Sequence, residues 1–426
     1  MTDFRFLHVA DIHLDSPLEG LARYDEAPVK RFREAPRAAL VALIDRAIEL
    51  SVDFLLIAGD LYDGSWDESR TGLFLVGQLA RLRDAGIPVI AIRGNHDAEN
   101  RMTNHVRFPD NVTLLSSERP ETYELSSLGV AIHGRSFAQR DVRTNLVLDY
   151  PPGRSDRFDI GLLHTALEGR EGHESYAPCS IDDLLRCEYD YWALGHIHRR
   201  AIVRESPPIV FPGNLQGRHA RETGPKGAYV VTVERGRPRL EFEAFDAVRW
   251  ERIEVPIDGL ESLDALVERF RERADESIRQ AEGRPLAARI ELTGAGPLHR
   301  IWGGDPRRGA DELRAAALMT GHEAIWLEKI VARTSPAPRS TGAVRHDVDA
   351  PSPVDELDRV LAELLGSDDE LRRFIAGFDD LRAKLPRELT VDEAGRAWDA
   401  PERWRELLGE ALPLLHERIG GGETTR

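Results

Sequence analysis

The chain has 426 residues, 57 Lys+Arg against 74 Asp+Glu, a formal net charge of −17, and 41% hydrophobic residues. That length favours one large domain with additions over a single core, and the acidic balance excludes a protein that coats nucleic acid over its whole surface, leaving only local binding at a cationic site. No apolar run approaches a membrane span, the start MTDFRFLHVADIHLD lacks the regions of a secretion signal, and two cysteines cannot build a disulfide framework, so a cytoplasmic protein with no membrane partner is expected.

Through residue 235 short apolar runs alternate with helical spacing, the pattern of a layered α/β or α+β domain. Phe4–Val9 reads as a strand, Ala38–Leu50 as a helix, Phe54–Ala58 as a strand and Leu73–Ala85 as a helix. Ala85-Gly86-Ile87-Pro88 then stops the helix and leads into a strand at Val89–Ile92. Val130–His133, Ile160–Leu163 and Tyr191–Leu194 follow as strands. Tyr229–Val233 and Leu240–Phe245, joined through Gly236-Arg237-Pro238, form a hairpin that closes a domain of residues 1–248.

Residues 249–333 read as a small α+β unit: strand Arg252–Pro256, helix Ser262–Ala281, strand Ala287–Leu292, helix Gly309–Thr320 and strand Ile325–Ala332. Residues 334–353 carry four prolines and read as a linker. Amphipathic helices Val354–Leu365, Asp368–Leu385 and Pro401–Ile419 fill a C-terminal region of residues 354–426, ending in a frayed tail. Leu357, Val360, Leu361, Leu364 and Leu365 form a stripe that suits a partner helix and its own domain equally.

Five of the apolar runs lead into residues that bind metals: Asp11-Ile12-His13, Gly59-Asp60, Gly94-Asn95-His96-Asp97, His164 and Gly195-His196-Ile197-His198. Strand ends of this kind converge in one crevice of an α/β sheet. The alternate residues of Asp11/His13 and His196/His198 point the same way at a strand end. Imidazole, carboxylate and amide oxygen without thiolate suit two divalent ions, Mn²⁺ first, with Fe²⁺ and Zn²⁺ also acceptable. Such ions about 3.5–4 Å apart clamp a phosphoryl group and need a shared carboxylate; Asp60, central in the order, is the natural choice. Any one motif alone is an ordinary loop, and the signal is the five together. His8 and His133 lie inside strands and read as structural.

This set resembles the calcineurin-like metallophosphoesterase superfamily. Within it, HVADIHLDSPL, GDLYDG and ALGHIHRR resemble the DNA-repair exonuclease branch of SbcD and its recombination-nuclease relatives, nearest to the YhaO-like bacterial group. The resemblance covers residues 4–218 and implies an α+β fold: a four-layer α/β/β/α sandwich, here with a small α+β cap and a helical C-terminal tail. It implies that Asp11, His13, Asp60 and His198 hold one ion, and Asp60, Asn95, His164 and His196 the other. His96 would serve the leaving oxygen as the catalytic imidazole, and Asp97 would orient it. The implied reaction is exo- or endonucleolytic hydrolysis of DNA by a metal-activated water. The implied partners are DNA, an SMC-like coiled-coil ATPase docked on residues 354–419, and a second copy of the chain.

Asp63 stands where the recombination nucleases often carry a second histidine, and a carboxylate beside an anionic phosphate is expected to alter rate or polarity. Asp63, Asn214 and Arg218 are candidate substrate contacts, with the backbone of Gly213-Asn214 expected to face the substrate. Arg199-Arg200, Arg218/Arg221 and Arg307-Arg308 are candidate phosphate contacts. Two other readings use the same ligands: a phosphoesterase for small or cyclic nucleotides, and an assembly subunit of the ATPase complex.

Overall fold

The computed structural model describes residues 2–16, 29–63, 69–99, 107–167, 176–320, 324–337, 353–382 and 396–420. Most of the proline-rich segment and the end of the C-terminal tail lie outside the described residues.

The chain begins with β1 (Phe4–Val9), α1 (Val29–Glu49), β2 (Phe54–Ala58), α2 (Ser69–Asp84), β3 (Val89–Ile92), α3 (Asn95–Glu99) and β4 (Val112–Leu114). β5 (Glu121–Leu125), β6 (Val130–Gly134), β7 (Phe158–His164), α4 (Ile181–Leu185), β8 (Tyr191–Gly195), β9 (Ala201–Glu205) and β10 (Pro208–Phe211) follow, and then β11 (Gly227–Glu234) and β12 (Arg237–Ala244). The first sheet runs β12-β11-β1-β2-β3-β4 and the second β5-β6-β7-β8-β10-β9. β1 to β4 are parallel, as are β6, β7, β8 and β10, so each sheet gathers its strand ends at one edge. The β11–β12 turn is Arg235-Gly236, both at positive φ, so it begins one residue before the expected Gly236-Arg237-Pro238 joint, and Arg237 and Pro238 belong to β12.

Burial explains the layering. Leu7, Val9, Leu55, Ile57, Val89 and Ala91 pack against Leu40, Leu43 and Ile44 of α1 and Leu75, Leu79 and Leu82 of α2. The alternate residues Phe4, Phe6, Phe54, Leu56, Ile90 and Ile92 meet Ile132, Phe158, Ile160, Leu162 and Tyr191 of the second sheet. That sheet's far face, with Leu163, Trp192 and Leu194, is covered by Leu146, Val147, Tyr176 and Leu184. Strands buried on both faces read as unbroken apolar runs, which makes them legible in the sequence. The fold is the expected four-layer sandwich.

By compactness the chain divides into residues 1–253, 274–289 and 317–329, and residues 254–273, 290–316 and 330–426. β13 (Arg249–Pro256), β14 (Leu286–Ala295) and β15 (Ile325–Ser335) form a three-stranded sheet, with helices α5 (Leu263–Gln280), α6 (Leu298–Gly304) and α7 (Pro306–Met319) between its strands. In the second unit, α8 (Pro353–Gly366), α9 (Asp368–Ala376), the short α10 (Asp379–Arg382) and α11 (Pro401–Gly420) follow; α8, α9 and α11 pack around a small core of Leu371, Ile375, Trp398 and Trp404, with Leu364 and Phe378 against it. The helix expected over Asp368–Leu385 breaks at Gly377, where α9 ends. Leu361 is buried and Leu364 packs on this core, so the α8 stripe serves its own bundle in part. No helix among the described residues is long and apolar enough to cross a membrane.

Candidate metal centre

The parallel strands of both sheets deliver the polar residues to one edge. Past the end of β1, Asp11 N–H donates to Gly59 O (3.1 Å) and His13 N–H to Asp60 O (3.0 Å), so the segments following β1 and β2 stay zipped beyond the sheet. Asp11, His13, Asp60 and His196 all have positive φ, at 50°, 44°, 53° and 99°. Left-handed backbone in non-glycine residues costs about 1–3 kcal/mol each and is typical of sites whose surroundings impose it. Gly195 is required for closeness: a Cβ there would lie 1.9 Å from Ala58 O, so the two sheets touch through their backbones at the site.

Around this edge the donor atoms converge. Asp60 Oδ2 lies 3.4 Å from His164 Nε2 and 3.8 Å from His13 Nε2, so one oxygen reaches imidazoles on both sides. His164 Nε2 is also 3.0 Å from Asn95 Oδ1, while His13 Nε2 and His198 Nε2 face each other at 3.1 Å. His198 Nε2 is 3.8 Å from Asp11 Oδ1, and the His196 ring stands beside that of His164, centroids 5.2 Å apart. Asp11, His13, Asp60, Asn95, His164, His196 and His198 are thus brought together, and all but the partly exposed His198 are buried.

The outer hydrogen bonds fix which atoms face inward. His164 Nδ1–H donates to Ala58 O (2.9 Å) and His198 Nδ1–H to Glu222 Oε1 (2.7 Å), which leaves both Nε2 lone pairs aimed at the centre. They meet carboxylate and amide oxygens there, acceptor against acceptor, and only a cation or a proton resolves that conflict. Three groups, Asp11/His13/His198, His13/Asp60/His96 and Asp11/Asp60/His164, bring their ligand atoms within 4.8 Å of one another. Among the described residues His13 Nδ1 is buried without a hydrogen-bond partner. The residues present fit a pair of divalent ions.

The titration directions express the same crowding. Burial lifts Asp11 to about 6 against the pull of His198 and His164. Burial also opposes charge on Asp60, but His164, His13 and His96 outweigh it and hold its pKa below the usual carboxylate range. Burial would lower His164, yet the Asp60 charge and hydrogen bond raise it to about 9. Burial likewise works against the His96 cation, and the hydrogen bond to Asp63 with the Asp60 charge turns the balance upward.

Three expectations are corrected. Asp97 does not orient His96: its carboxylate accepts Gly94 N–H (3.0 Å) and Tyr62 N–H (3.1 Å), because the turn into α3 points it into the framework. The partner of His96 is Asp63, 2.9 Å from Nδ1, while the His96 backbone N–H holds Asp60 Oδ1 at 3.0 Å. Asn214 is fully buried, with its backbone N–H on His198 O (3.4 Å) and its side-chain amide on Glu222 Oε2 (2.9 Å) and Gln216 O (2.7 Å), so its donors are turned into the protein and not toward a substrate. Arg218 is no free phosphate contact: Nη1 donates to Asp63 (3.0 Å) and Nη2 to Glu222 (3.4 Å).

His8 and His133 are structural, as expected. His8 Nε2–H donates to Leu194 O and its Nδ1 accepts from Tyr191, while His133 bridges Thr122 and Asp159. Glu222 escapes a reading of the sequence, as do Arg140 and Tyr176, which line a cavity of about 190 Å³ with Asp60, Asn95, His96, His196 and His198. Glu222 follows no strand and belongs to no pattern, so nothing in the sequence marks it. Cys179 and Cys187 are both buried, and among the described residues neither takes part in a disulfide.

Residues 4–200 match the model of the calcineurin-like phosphoesterases, and residues 250–335 that of the metallophosphoesterase YhaO middle domain. The chain is 38% identical over 301 residues to an uncharacterized metallophosphoesterase YhaO of Bacillus subtilis, covering 70% of this chain and 73% of that one. It is 26% identical over 323 residues to the DNA double-strand break repair protein Mre11 of Methanopyrus kandleri, covering 69% and 66%. Among solved structures, a dimetal phosphatase from Danio rerio matches at 12% identity and a TM-score of 0.36, over 57% of this chain and 98% of that one.

Proposed function

This chain belongs to the YhaO-like family of calcineurin-like metallophosphoesterases, and from that premise we propose that it is a two-metal DNA phosphodiesterase, exo- or endonucleolytic. The carrying observation is the convergence of His164 and His198 lone pairs with the oxygens of Asp11, Asp60 and Asn95 beneath an open cavity that His96 also lines. Support for DNA over other phosphodiesters comes from the likeness to the break-repair protein.

Two divalent ions held by these residues would supply positive charge on the phosphoryl oxygens and lower the pKa of a bound water. The chain's own residues do the rest. Ala58 O and Glu222 fix the tautomers of His164 and His198, so neither ring can turn away. His96, with Nδ1–H on Asp63 and its backbone N–H on Asp60, can present only Nε2 to the cavity. A raised pKa keeps a proton on that nitrogen, where the departing oxygen receives it as the phosphorus–oxygen bond breaks. Manganese is our choice of ion, on the oxygen- and imidazole-rich donor set.

The test is manganese-dependent degradation of end-labelled single- and double-stranded DNA, with His96→Ala and the chromogenic diester bis(p-nitrophenyl) phosphate in parallel. DNA cleavage that disappears in the variant supports the reading. Diester hydrolysis with DNA untouched would overturn the DNA assignment and favour a small or cyclic nucleotide.

A further inference from the structure

A second cleft shares the wall residue His198 with the cavity over the metal centre, and its charge is opposite to that of the chain. Its volume is about 670 Å³, and His198 forms part of its wall. Four cationic side chains line it, Arg199, Arg218, Arg221 and Lys226, against the single carboxylate of Glu222. In a chain of net charge −17 such a concentration focuses positive potential where a low-dielectric wall strengthens it.

The cleft is built rather than a chance meeting of surface arginines. Glu222 is 7% exposed and ties together His198, Asn214 and the backbone N–H of Arg218. Lys226, also buried, donates from Nζ to His198 O at 3.0 Å, and Asn214 N–H reaches the same carbonyl at 3.4 Å. These bonds pin the segment that carries Arg199. Arg218 is the hinge between cleft and centre, with one nitrogen on Asp63, the partner of His96, and the other on Glu222. Arg199 and Arg221 stand at the exposed wall.

We propose that this cleft is a subsite for a flanking phosphate of a nucleic-acid strand whose scissile phosphate lies at the metal centre. The proposal rests on the DNA reading and sharpens it: the enzyme grips a chain of phosphates, and a mononucleotide diester cannot fill both places. Phosphate oxygens at Arg199 and Arg221 would accept charge-assisted hydrogen bonds, with Arg218 and Lys226 supplying fixed charge behind them.

The experiment compares the manganese-loaded wild type with the Arg199→Ala/Arg221→Ala double variant on a single-stranded oligonucleotide and on bis(p-nitrophenyl) phosphate, across a salt series. Both substituted side chains are exposed, and Arg83→Ala, an exposed arginine paired to Asp84, serves as the control. The double variant should raise the oligonucleotide KM about tenfold more than the diester KM and flatten the salt slope by about 2, one for each arginine withdrawn from the phosphates. An unchanged slope, or equal effects on both substrates, overturns the subsite while leaving DNA cleavage itself standing. If the wild type hydrolyses only the diester, the DNA reading falls, and the subsite is judged by competition. Inhibition of diester hydrolysis by the oligonucleotide, relieved in the double variant, upholds it; inorganic phosphate inhibiting as strongly as the oligonucleotide refutes it.

Discussion

Asp63 Oδ1 holds Nδ1 of His96 at 2.9 Å, with Ser16 and Arg218 gripping its other oxygen. The Asp63 carboxylate is thus taken up by its protein partners and braces the imidazole, where the sequence led to the expectation of a contact with an anionic substrate. Asp63→Asn keeps the shape but can no longer favour the cationic ring. The variant should lose about 10–100-fold in kcat with KM and metal content little changed, the usual scale for a group that positions another. His96→Ala should lose about 10²–10⁴-fold. Wild-type kcat in Asp63→Asn would reduce Asp63 to an anchor for Arg218.

Glu222 stands behind His198 as the main-chain carbonyl of Ala58 stands behind His164. Removing the carboxylate frees the ring to turn and withdraws the acceptor that holds its tautomer. Glu222→Ala should weaken manganese binding about 10–100-fold by titration calorimetry, with Glu222→Gln between it and the wild type. Equal affinities in all three proteins would show that His198 needs no such support.

The contrast between these two carboxylates marks what a sequence discloses. Asp11, Asp60, Asn95 and the histidines each follow a buried apolar strand, and burial on both faces makes such strands easy to see. Glu222 and Arg140 come from loops whose place depends on how distant strands close, and no periodicity reports that. Strand β5, ETYEL, alternates exposed and half-buried residues and gives no apolar run to read, and the three-residue β4 and the largely exposed β9 are equally silent. Asp97 misleads for a simpler reason: it adjoins His96 in sequence, but the α3 turn sends the neighbours to different sides.

Gly195 sets the closeness of the two sheets. A methyl group there would sit 1.9 Å from Ala58 O and 2.9 Å from His164 Nδ1, and neither is a flexible side-chain end that could yield. Gly195→Ala should destabilise the protein by about 3 kcal/mol or more and lower metal affinity together with it, because the clash falls between strands that carry ligands. Denaturant unfolding measures the first effect and metal titration the second. A stable variant with wild-type affinity would mean that the sheets part here at little cost.

His8 gives the fold a pH dependence of its own. The ring is fully buried between the sheets with its Nε2–H on Leu194 O and its Nδ1 accepting from Tyr191, a pattern that only the neutral ring can make. Burial lowers its pKa from 6.5 to about 3, against the weaker upward pull of Leu194. Between those values the unfolded chain binds a proton that the folded chain refuses, so stability must fall as pH falls through this window. One such proton contributes a slope of about 1.4 kcal/mol per pH unit. His8→Gln, which cannot titrate, should be less stable at pH 7 yet lose less on acidification from pH 6 to pH 4. Parallel curves for wild type and variant would show that His8 carries no part of the acid sensitivity.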